Sequence, residues 1–283
     1  DAPPSQPANG NGNGSNDSMK DIDLFSMEVP TVVTASRHEQ KATSVPYAMS
    51  VITDDDIRQS GARSVPDALR LAPGVDVAEL NYGNYAVSPR GLHGLYASKV
   101  LVLVDGRQIF DTLFAGTAWG NWPFMLDDIK RIEVIRGPSV TWGANAVNGV
   151  INIITKDPAD QIGLTTTGAG GSRGYTKEHV GYGAQIEKLR VRVSSEFERS
   201  DGFEKQRSLI GDLDDEYGAF RGNAHAVYDA GKNDKLTFSL GSAVVDGNYP
   251  TPQLLNPIQR EAAAQSNFFL TQWAHHIAPD NDL

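Results

Sequence analysis

Few residues of this sequence have the spacing of a catalytic site. Residues 170–174 read Gly-Gly-Ser-Arg-Gly, which has the letters of a hydrolase nucleophile elbow. That motif needs a strand before the serine and a helix after it, whereas alternating, strand-like residues lie on both sides here. Arg173 also occupies the place of the third glycine in a dinucleotide-binding fingerprint begun at Gly168 and Gly170. We therefore predict a glycine-rich hairpin turn, no enzymatic activity and no cofactor.

Metal ligation is equally poorly supported. The chain has no cysteine, so thiolate sites and disulfides are excluded. His275 and His276 are neighbours on a predicted strand and point to opposite faces, so they cannot hold one ion together. The remaining histidines lack ligand spacing: His38, His93, His179 and His225. The acidic cluster Asp212, Asp214, Asp215 and Glu216 suits either calcium or a solvated loop, and we expect the loop.

Charge and hydropathy narrow the class of protein. The net charge of −10 argues against nucleic-acid binding, which requires a basic face. The longest aliphatic run, 100–104, is far shorter than the roughly 20 residues of a membrane-spanning helix. A membrane barrel is not excluded, because its strands alternate in polarity. The first residues lack the basic start and apolar core of a signal peptide, so we expect a mature chain or an omitted leader.

The elements that must position any site fall into three parts. Residues 1–27 begin with a polar, glycine-rich stretch that we predict to be a flexible tether. Up to residue 157 the pattern predicts short α and β elements. The predicted strands are 47–53, 75–80, 99–104, 132–135 and 147–155. The predicted helices begin at Asp54 and Ser64, the first ending near Gly61 and the second before Pro73, and an aromatic loop covers 81–85.

After Lys156 the polarity alternates with a period of two. Six segments show it: 162–171, 174–185, 189–199, 217–229, 235–246 and 267–277. From the third segment onward short polar turns alternate with long connections, which is typical of an outer-membrane barrel. A soluble antiparallel sheet with one wet face remains the alternative.

Four ordered blocks give the sequence a resemblance to a known family. They are Asp67-Ala68-Leu69-Arg70 with Pro73-Gly74-Val75; Arg90-Gly91-Leu92 with Leu101-Val102-Leu103-Val104-Asp105-Gly106; Ile132-Glu133-Val134-Ile135-Arg136-Gly137-Pro138; and the run 142–156 that begins Trp142-Gly143-Ala144-Asn145. Together they resemble the plug of the TonB-dependent outer-membrane receptors. The resemblance implies an α+β plug domain over 36–157. It also implies that 158–283 supply about six antiparallel strands of a transmembrane β-barrel, the N-terminal part of a plugged barrel of about 22 strands.

The resemblance also implies a partner, the periplasmic protein TonB. In this family TonB pulls on a short extended segment, the TonB box, by adding it as a strand to its own sheet. The matching residues here are Glu28, Val29, Pro30, Thr31, Val32, Val33, Thr34 and Ala35. Thr and Val favour an extended backbone and Pro30 disfavours helix. An ordinary edge strand of the plug is the alternative interpretation.

Two arginines match the family residues that lock the plug to barrel glutamates. They are Arg90 and Arg136, whose guanidinium groups stay charged and grip carboxylates with two donors. The alternative role of these arginines is a local ion pair with Glu133, so we include Glu133 among the candidate locking residues. The expected barrel partners lie on strands beyond this sequence.

Family plugs present loops to the substrate, and the matching stretches are 81–86 and 111–122. Their candidate ligand-binding residues are Tyr82, Asn84, Tyr85, Phe114, Trp119 and Trp122. Aromatic rings are suited to stack on a flat ligand. Packing of these rings against the barrel wall is the alternative.

The resulting interpretation is the N-terminal part of a receptor in the outer membrane of a Gram-negative bacterium, with plug and TonB box facing the periplasm. It binds a ferric siderophore or similar iron complex, contacts outer-membrane lipid and takes its energy from TonB. Two alternatives stay open, a signalling receptor and a soluble periplasmic binding module. Six strands are too few to close around a plug, so we expect this sequence to be a fragment.

Overall fold

A computed structural model of the chain describes residues 31–32, 40–41, 48–81, 83–89, 91, 99–111, 116–138, 142, 146–203, 206–208, 211–213, 215–250 and 259–275. The helices are α1 (Asp54–Ser60) and α2 (Val65–Leu69), with 3₁₀ turns at Trp119–Asn121, Leu126–Asp128 and Pro158–Gln161. The first strands are β1 (Thr31–Val32), β2 (Gln40–Lys41), β3 (Ala48–Thr53), β4 (Val75–Asn81), β5 (Asn84–Pro89), β6 (Val100–Val104), β7 (Arg107–Gln108), β8 (Ile129–Arg136) and β9 (Gly149–Thr155). The later strands are β10 (Gly163–Gly170), β11 (Thr176–Ile186), β12 (Leu189–Ser200), β13 (Gln206–Ser208), β14 (Gly211–Leu213), β15 (Tyr217–Asp229), β16 (Asp234–Pro250) and β17 (Gln259–His275).

A five-stranded mixed sheet organises the first part of the chain. Its order is β3-β8-β9-β6-β7, and only β6 and β9 run parallel. All five residues of β6 are buried, as expected for a strand covered on both faces. One face packs on α1 and α2 through a cluster that includes Ile57, Leu69 and Val102. The other face carries a smaller cluster around Leu101 and Ile135.

Both predicted helices form, and local chemistry explains their ends. The Thr53 hydroxyl accepts from the Asp56 N–H at 3.2 Å, and Asp56 Oδ2 accepts from the Thr53 N–H at 2.9 Å, which makes a capping box. Gly61 ends α1 in the left-handed conformation, at φ 69°. Ser64 caps α2, and its second residue is proline. Because α2 ends at Leu69, it is shorter than the prediction of 64–71.

The predicted aromatic loop is partly a strand. Asn84–Pro89 forms β5, which pairs antiparallel with β4 from Val75↔Pro89 to Asn81↔Asn84. The prediction of a loop over 81–85 was therefore wrong beyond the turn. Gly83, at φ 80°, makes the turn. Pairing with β4 extends the hairpin into residues 84 and 85, although their polarity does not alternate as in a typical strand.

The second part of the chain is one six-stranded antiparallel sheet, here called the wall sheet. Its order β10-β11-β12-β15-β16-β17 follows the sequence, so neighbouring strands are joined in succession. All six predicted segments are strands, and residues 170–174 lie at the β10–β11 hairpin, which confirms the hairpin prediction. The sheet is two-faced: Lys177, His179, Arg192 and Glu196 are buried on its inner face, while its outer face exposes large apolar side chains.

The last two strands are longer than predicted. The β16–β17 ladder runs from Asp234↔His275 to Pro250↔Gln259 and leaves only residues 251–258 between the strands. The sequence prediction of a long connection over 247–266 was wrong, because paired neighbours hold turn-forming residues such as Gly247 in the ladder. The 201–216 connection also contains a small hairpin, β13–β14. Among the described residues, no helix is long and apolar enough to cross a membrane.

Candidate functional site

The α/β unit sits against the inner face of the wall sheet, and several ion pairs connect them. The buried carboxylate of Asp128, in the 3₁₀ turn before β8, is at the centre of one group. It accepts from the Ser194 hydroxyl at 2.5 Å, lies 3.4 Å from His179 Nε2 and lies 3.8 Å from Arg192 Nη2. Burial raises the pKa of Asp128, but the adjacent His179, the charge of Arg192 and the hydrogen bond from Ser194 outweigh it, so the pKa is lowered.

Two more carboxylates of the α/β unit face cations of the wall sheet. Asp127 Oδ2 lies 3.5 Å from Lys177 Nζ. Asp157 lies 3.6 Å from Arg190 and 3.4 Å from Lys235. Burial raises the pKa of Asp157, but the Ala159 N–H and the two nearby cations outweigh it and lower the pKa. In these contacts the carboxylates belong to the α/β unit and the cations belong to the wall sheet.

A second ionic group lies further along the same wall strands. Arg221 Nη1 pairs with Glu196 at 2.8 Å and with Glu198 at 2.9 Å, and Lys177 Nζ lies 3.1 Å from Glu196. All four side chains are nearly inaccessible to solvent. Arg221 Nη2 also donates to the carbonyl oxygen of Gly120, in the Trp119–Asn121 turn, at 3.3 Å. This contact attaches a predicted substrate-facing loop to the wall.

The predicted ligand-binding residues fall into two groups. Tyr85 and Trp119 are buried in the main apolar core, where Trp119 makes an edge contact with Phe124 at 6.4 Å. Burial raises the pKa of the Tyr85 hydroxyl. The two rings therefore pack within the α/β unit itself, and a ligand role for them stays a prediction. Asn84 and Trp122 are only half-buried, and a ligand role for them stays a prediction. Tyr82 and Phe114 lie outside the described residues.

The predicted locking residues are described in part. Arg136 Nη1 donates to the carbonyl oxygen of Pro73 at 2.6 Å, so it ties β8 to the end of the second helix region. Glu133 is fully buried in the mixed sheet, and Arg131 Nε donates to it at 2.8 Å. Arg90 lies outside the described residues. The lock formed by Arg90 and Arg136 with barrel glutamates stays a prediction.

The predicted TonB box is described only at Thr31 and Val32. These two residues form β1 and pair antiparallel with Gln40 and Lys41. Residues 28–30 and 33–35 lie outside the described part of the chain, as does the tether 1–27. The extended backbone at Thr31–Val32 is compatible both with a TonB box and with the edge-strand alternative.

No metal centre is found in the part of the chain that the structure describes, since no three His, Asp or Glu side chains converge there. His275 Nδ1 instead lies 2.8 Å from Asp234. In the acidic cluster, Asp215 accepts from the Phe203 N–H at 2.6 Å and Glu216 pairs with Arg199 at 3.2 Å.

Sequence reasoning missed the carboxylates that contact the wall: Asp127, Asp128 and Asp157. One signal was present, because alternation placed Arg190, Arg192 and Glu196 on the same polar face of a strand. A polar face inside a barrel meets either water or a plug. Which carboxylate meets which cation depends on docking, and spacing along the chain does not encode that.

Comparisons with known proteins agree with this geometry. Residues 41–150 match the family model of the TonB-dependent Receptor Plug Domain. The fold is similar to the ferripyoverdine receptor of the outer membrane of Pseudomonas aeruginosa, with a TM-score of 0.69 and 15% identity. That match covers 88% of this chain and 34% of the receptor chain.

Two further solved structures are similar. The siderophore receptor PirA from Acinetobacter baumannii matches with a TM-score of 0.55 and 20% identity, over 71% of this chain and 32% of PirA. The copper transporter OprC matches with a TM-score of 0.58 and 18% identity, over 70% of this chain and 31% of OprC. The chain therefore spans about a third of the length of the solved structures that it matches.

Proposed function

We propose that the chain is part of a TonB-dependent receptor that acts as an outer-membrane importer, because residues 41–150 match the plug family model and the fold is similar to that of plugged-barrel receptors. The importer binds a scarce substrate on the outer side of the membrane. TonB then pulls on the plug, and the substrate passes to the periplasm. The proposed divisions are a tether at 1–27, a TonB box at 28–35, the plug at 36–157 and barrel strands at 158–283.

The nature of the contact between plug and wall supports this proposal most strongly. The contacts are ion pairs and hydrogen bonds, such as Asp128 with Ser194 and Arg192 and Asp157 with Lys235. An apolar core shared by plug and wall would have to be exposed to water whenever the plug moved. Polar groups, in contrast, exchange their partners for water at little net cost, because intramolecular hydrogen bonds contribute only about 1 kcal/mol each. Such a joint holds the plug at rest and permits displacement under load.

The outer face of the wall sheet supports placement in the outer membrane. Leu164 is 69% exposed, Phe269 is 71% exposed and Trp273 is 69% exposed, all on one face of the sheet. A soluble module would present this apolar area to water, whereas a lipid-facing barrel surface requires it. The proposed orientation directs the TonB box and the short turns at 187–188 and 230–233 toward the periplasm.

The proposed substrate is a ferric siderophore or a similar iron complex. Three observations bear on it: the ferripyoverdine receptor and PirA are siderophore receptors, and OprC is a copper transporter. The half-buried Asn84 and Trp122 are the described residues that we propose to meet the substrate. Copper is the second candidate cargo, because OprC has the same fold.

Deletion of residues 28–35 tests the proposal directly. Cells producing the protein are grown without iron, and uptake of radioactive iron is measured with ferripyoverdine and with ferric enterobactin, with copper uptake in parallel. We expect the deletion to abolish uptake while surface binding of the same complex is retained. Deletion of the equally long stretch 6–13 in the tether is the matched control and should leave uptake intact. Uptake that survives the 28–35 deletion would overturn energy coupling through this segment. Uptake of copper but of neither iron complex would replace iron as the proposed cargo.

A further inference from the structure

Two loops of the plug touch through their glycines. These are the β4–β5 turn at Gly83 and the 3₁₀ turn at Gly120. A Cβ added to Gly120 would lie 2.6 Å from the carbonyl oxygen of Gly83, closer than side-chain carbons approach backbone. The two backbones are therefore in direct contact. A movement of either turn toward the other therefore pushes the second turn away.

Tyr217, the first residue of β15, covers this contact from the wall. A Cβ added to Gly83 would lie 2.8 Å from the Tyr217 ring. The Tyr217 hydroxyl donates to the Gly120 carbonyl oxygen at 3.2 Å and accepts from Arg221 Nη2 at 2.5 Å. Since Arg221 Nη2 also donates to the Gly120 carbonyl at 3.3 Å, a single backbone oxygen receives two donors from β15.

The guanidinium of Arg221 is held on its other side. Its Nη1 donates to Glu196 at 2.8 Å and to Glu198 at 2.9 Å, both on the neighbouring strand β12. The side chain of Arg221 is only 7% exposed, and that of Glu196 only 3%. A planar guanidinium gripped by two carboxylates keeps a fixed orientation. Arg221 is therefore a rigid support for Tyr217 and for the carbonyl of Gly120.

Tyr217 also follows directly on the long connection between β12 and β15. The base of that connection is closed by described contacts. Asp215 accepts from the Phe203 N–H at 2.6 Å, and Ser200 Oγ accepts from the Gly202 N–H at 3.1 Å. A displacement at this base moves the start of β15, and with it the ring that covers Gly83.

From these contacts we propose that Tyr217 and Arg221 are positioning residues that couple the two substrate-facing loops of the plug to the connection between β12 and β15. The proposal rests on the proposed function in one respect, namely that these loops meet the substrate. A ligand that shifts the contact between Gly83 and Gly120 moves Tyr217, and Tyr217 moves the base of the connection. Through Tyr217 and Arg221, a change in the position of the plug loops changes the position of the connection between β12 and β15.

Cysteine labelling tests the coupling without any substrate. These 283 residues contain no cysteine, so single reporters can be introduced cleanly by Asn84→Cys on the loop and by Gln59→Cys on exposed α1. The purified protein in detergent is labelled with a maleimide. We expect Tyr217→Phe, which keeps the ring and removes the hydroxyl, to raise the labelling rate at the Asn84→Cys thiol by about fivefold. The rate at the Gln59→Cys thiol should not change.

Tyr228→Phe is the matched control, because Tyr228 is on the same strand but half-exposed on the outer face. It should change neither rate. Equal rates in Tyr217→Phe and Tyr228→Phe would overturn the proposal. A rise at both reporters in Tyr217→Phe would overturn it as well, because it would indicate general loosening of the plug.

Coupling must act in both directions, and the reverse experiment tests that. Gly120→Ala adds a methyl group against the backbone at Gly83, and the steric cost of about 1 kcal/mol should raise the labelling rate at an Asp201→Cys thiol in the connection about fivefold. An unchanged rate there would overturn the link to the connection. Since none of these measurements involves uptake, failure of the importer proposal and failure of this one are distinguishable.

Discussion

The Asp128 carboxylate illustrates how single residues join plug to wall. It is buried, and an isolated carboxylate would lose most of its hydration energy in such a place. Ser194, His179 and Arg192 replace that hydration from the wall side. On the plug side the backbone of Asp128 is fixed by hydrogen bonds to Met125 and Lys156. The backbone of Asp128 is therefore fixed by the plug, whereas its carboxylate is stabilised by side chains of the wall sheet.

Asp128→Asn tests the energetic weight of this residue. The variant removes the charge but keeps the shape, so Arg192 is left buried without its carboxylate. We expect a loss of about 3 kcal/mol in the free energy of unfolding, typical for breaking a buried ion pair from one side. Thermal unfolding of the purified protein measures it.

Asp160→Asn is the matched control for this measurement. Asp160 pairs with Lys130 at 2.9 Å, but both side chains are largely exposed. An exposed pair contributes at most about 1 kcal/mol, so the control should unfold close to the unsubstituted protein. Similar losses in the two variants would contradict the role given to burial at Asp128.

Gly149 lies where β9 approaches the backbone of β8 closely. A Cβ at this position would lie 2.4 Å from the carbonyl oxygen of Ile135 on β8. Gly149→Ala should therefore push β8 and β9 apart and lower the free energy of unfolding by about 2 kcal/mol. Gly168→Ala in β10 is the control, because its Cβ would have an ordinary 3.9 Å contact. Chemical denaturation of both variants measures their free energies of unfolding, and equal values for the two would refute the steric argument.

Among the secondary-structure elements, two 3₁₀ turns connect the plug to the wall sheet. Leu126–Asp128 precedes β8, and Pro158–Gln161 precedes the first wall strand. Asp157 caps the second of these turns, because its Oδ1 accepts from the Ala159 N–H at 2.9 Å. Each turn places a carboxylate beside wall cations. Short turns suit this task since they fix a side chain without needing core volume.

These connectors predict a pH dependence of stability. The pKa values of Asp128 and Asp157 are lowered in the folded protein from the ordinary value of 3.8. A lowered pKa means that the carboxylates stabilise the fold above that value, and that this contribution is lost as pH falls through the lower, folded pKa. Melting temperature should therefore drop steeply below about pH 4.

Substitution separates this effect from general acid denaturation. The double variant Asp128→Asn, Asp157→Asn should melt lower at neutral pH and lose less on acidification. Asp55→Asn, at an exposed carboxylate of α1, is the control and should keep the slope of the unsubstituted protein. An unchanged acid slope in the double variant would show that other groups control acid stability.

At the scale of the whole molecule, the wall sheet has two opposite environments. Its inner face is charged and meets the plug, while its outer face carries Leu240, Phe269 and Trp273 at exposures above one half. Phe269 lies opposite Leu240 near the middle of the β16–β17 ladder. The pairing puts two large apolar side chains side by side where the membrane midplane is expected.

Phe269→Arg tests that placement. An arginine facing lipid near the midplane costs about 2–4 kcal/mol, so we expect less folded protein in the outer membrane, measured by heat-modifiable migration in gels. Ala230→Arg, in the exposed turn between β15 and β16, is the control and should fold normally. Normal membrane levels of the Phe269→Arg protein would argue that this face does not contact lipid.

The local elements and the resemblance to a plug domain followed from the amino-acid sequence alone. Capping residues fix the start of α1 at Asp54, and period-two alternation fixes all six wall strands, because both depend on neighbours within a few residues. Motif order over 67–156 identified the plug. Where local signals were weak the predictions were wrong: β5 and the extensions of β16 and β17 exist because a partner strand pairs with them.

Which side chains meet followed from the folded structure and not from the sequence pattern. It buried Tyr85 and Trp119 in the plug core and left Asn84 and Trp122 half-exposed. It also joined Asp128 to Arg192, and Gly120 to Tyr217 and Arg221, residues 64 to 101 positions apart. The physical reason is that docking of plug on wall is set by shape and charge over a whole surface. The alternation of residues along a strand predicts which face is polar, but it does not predict which surface packs against that face.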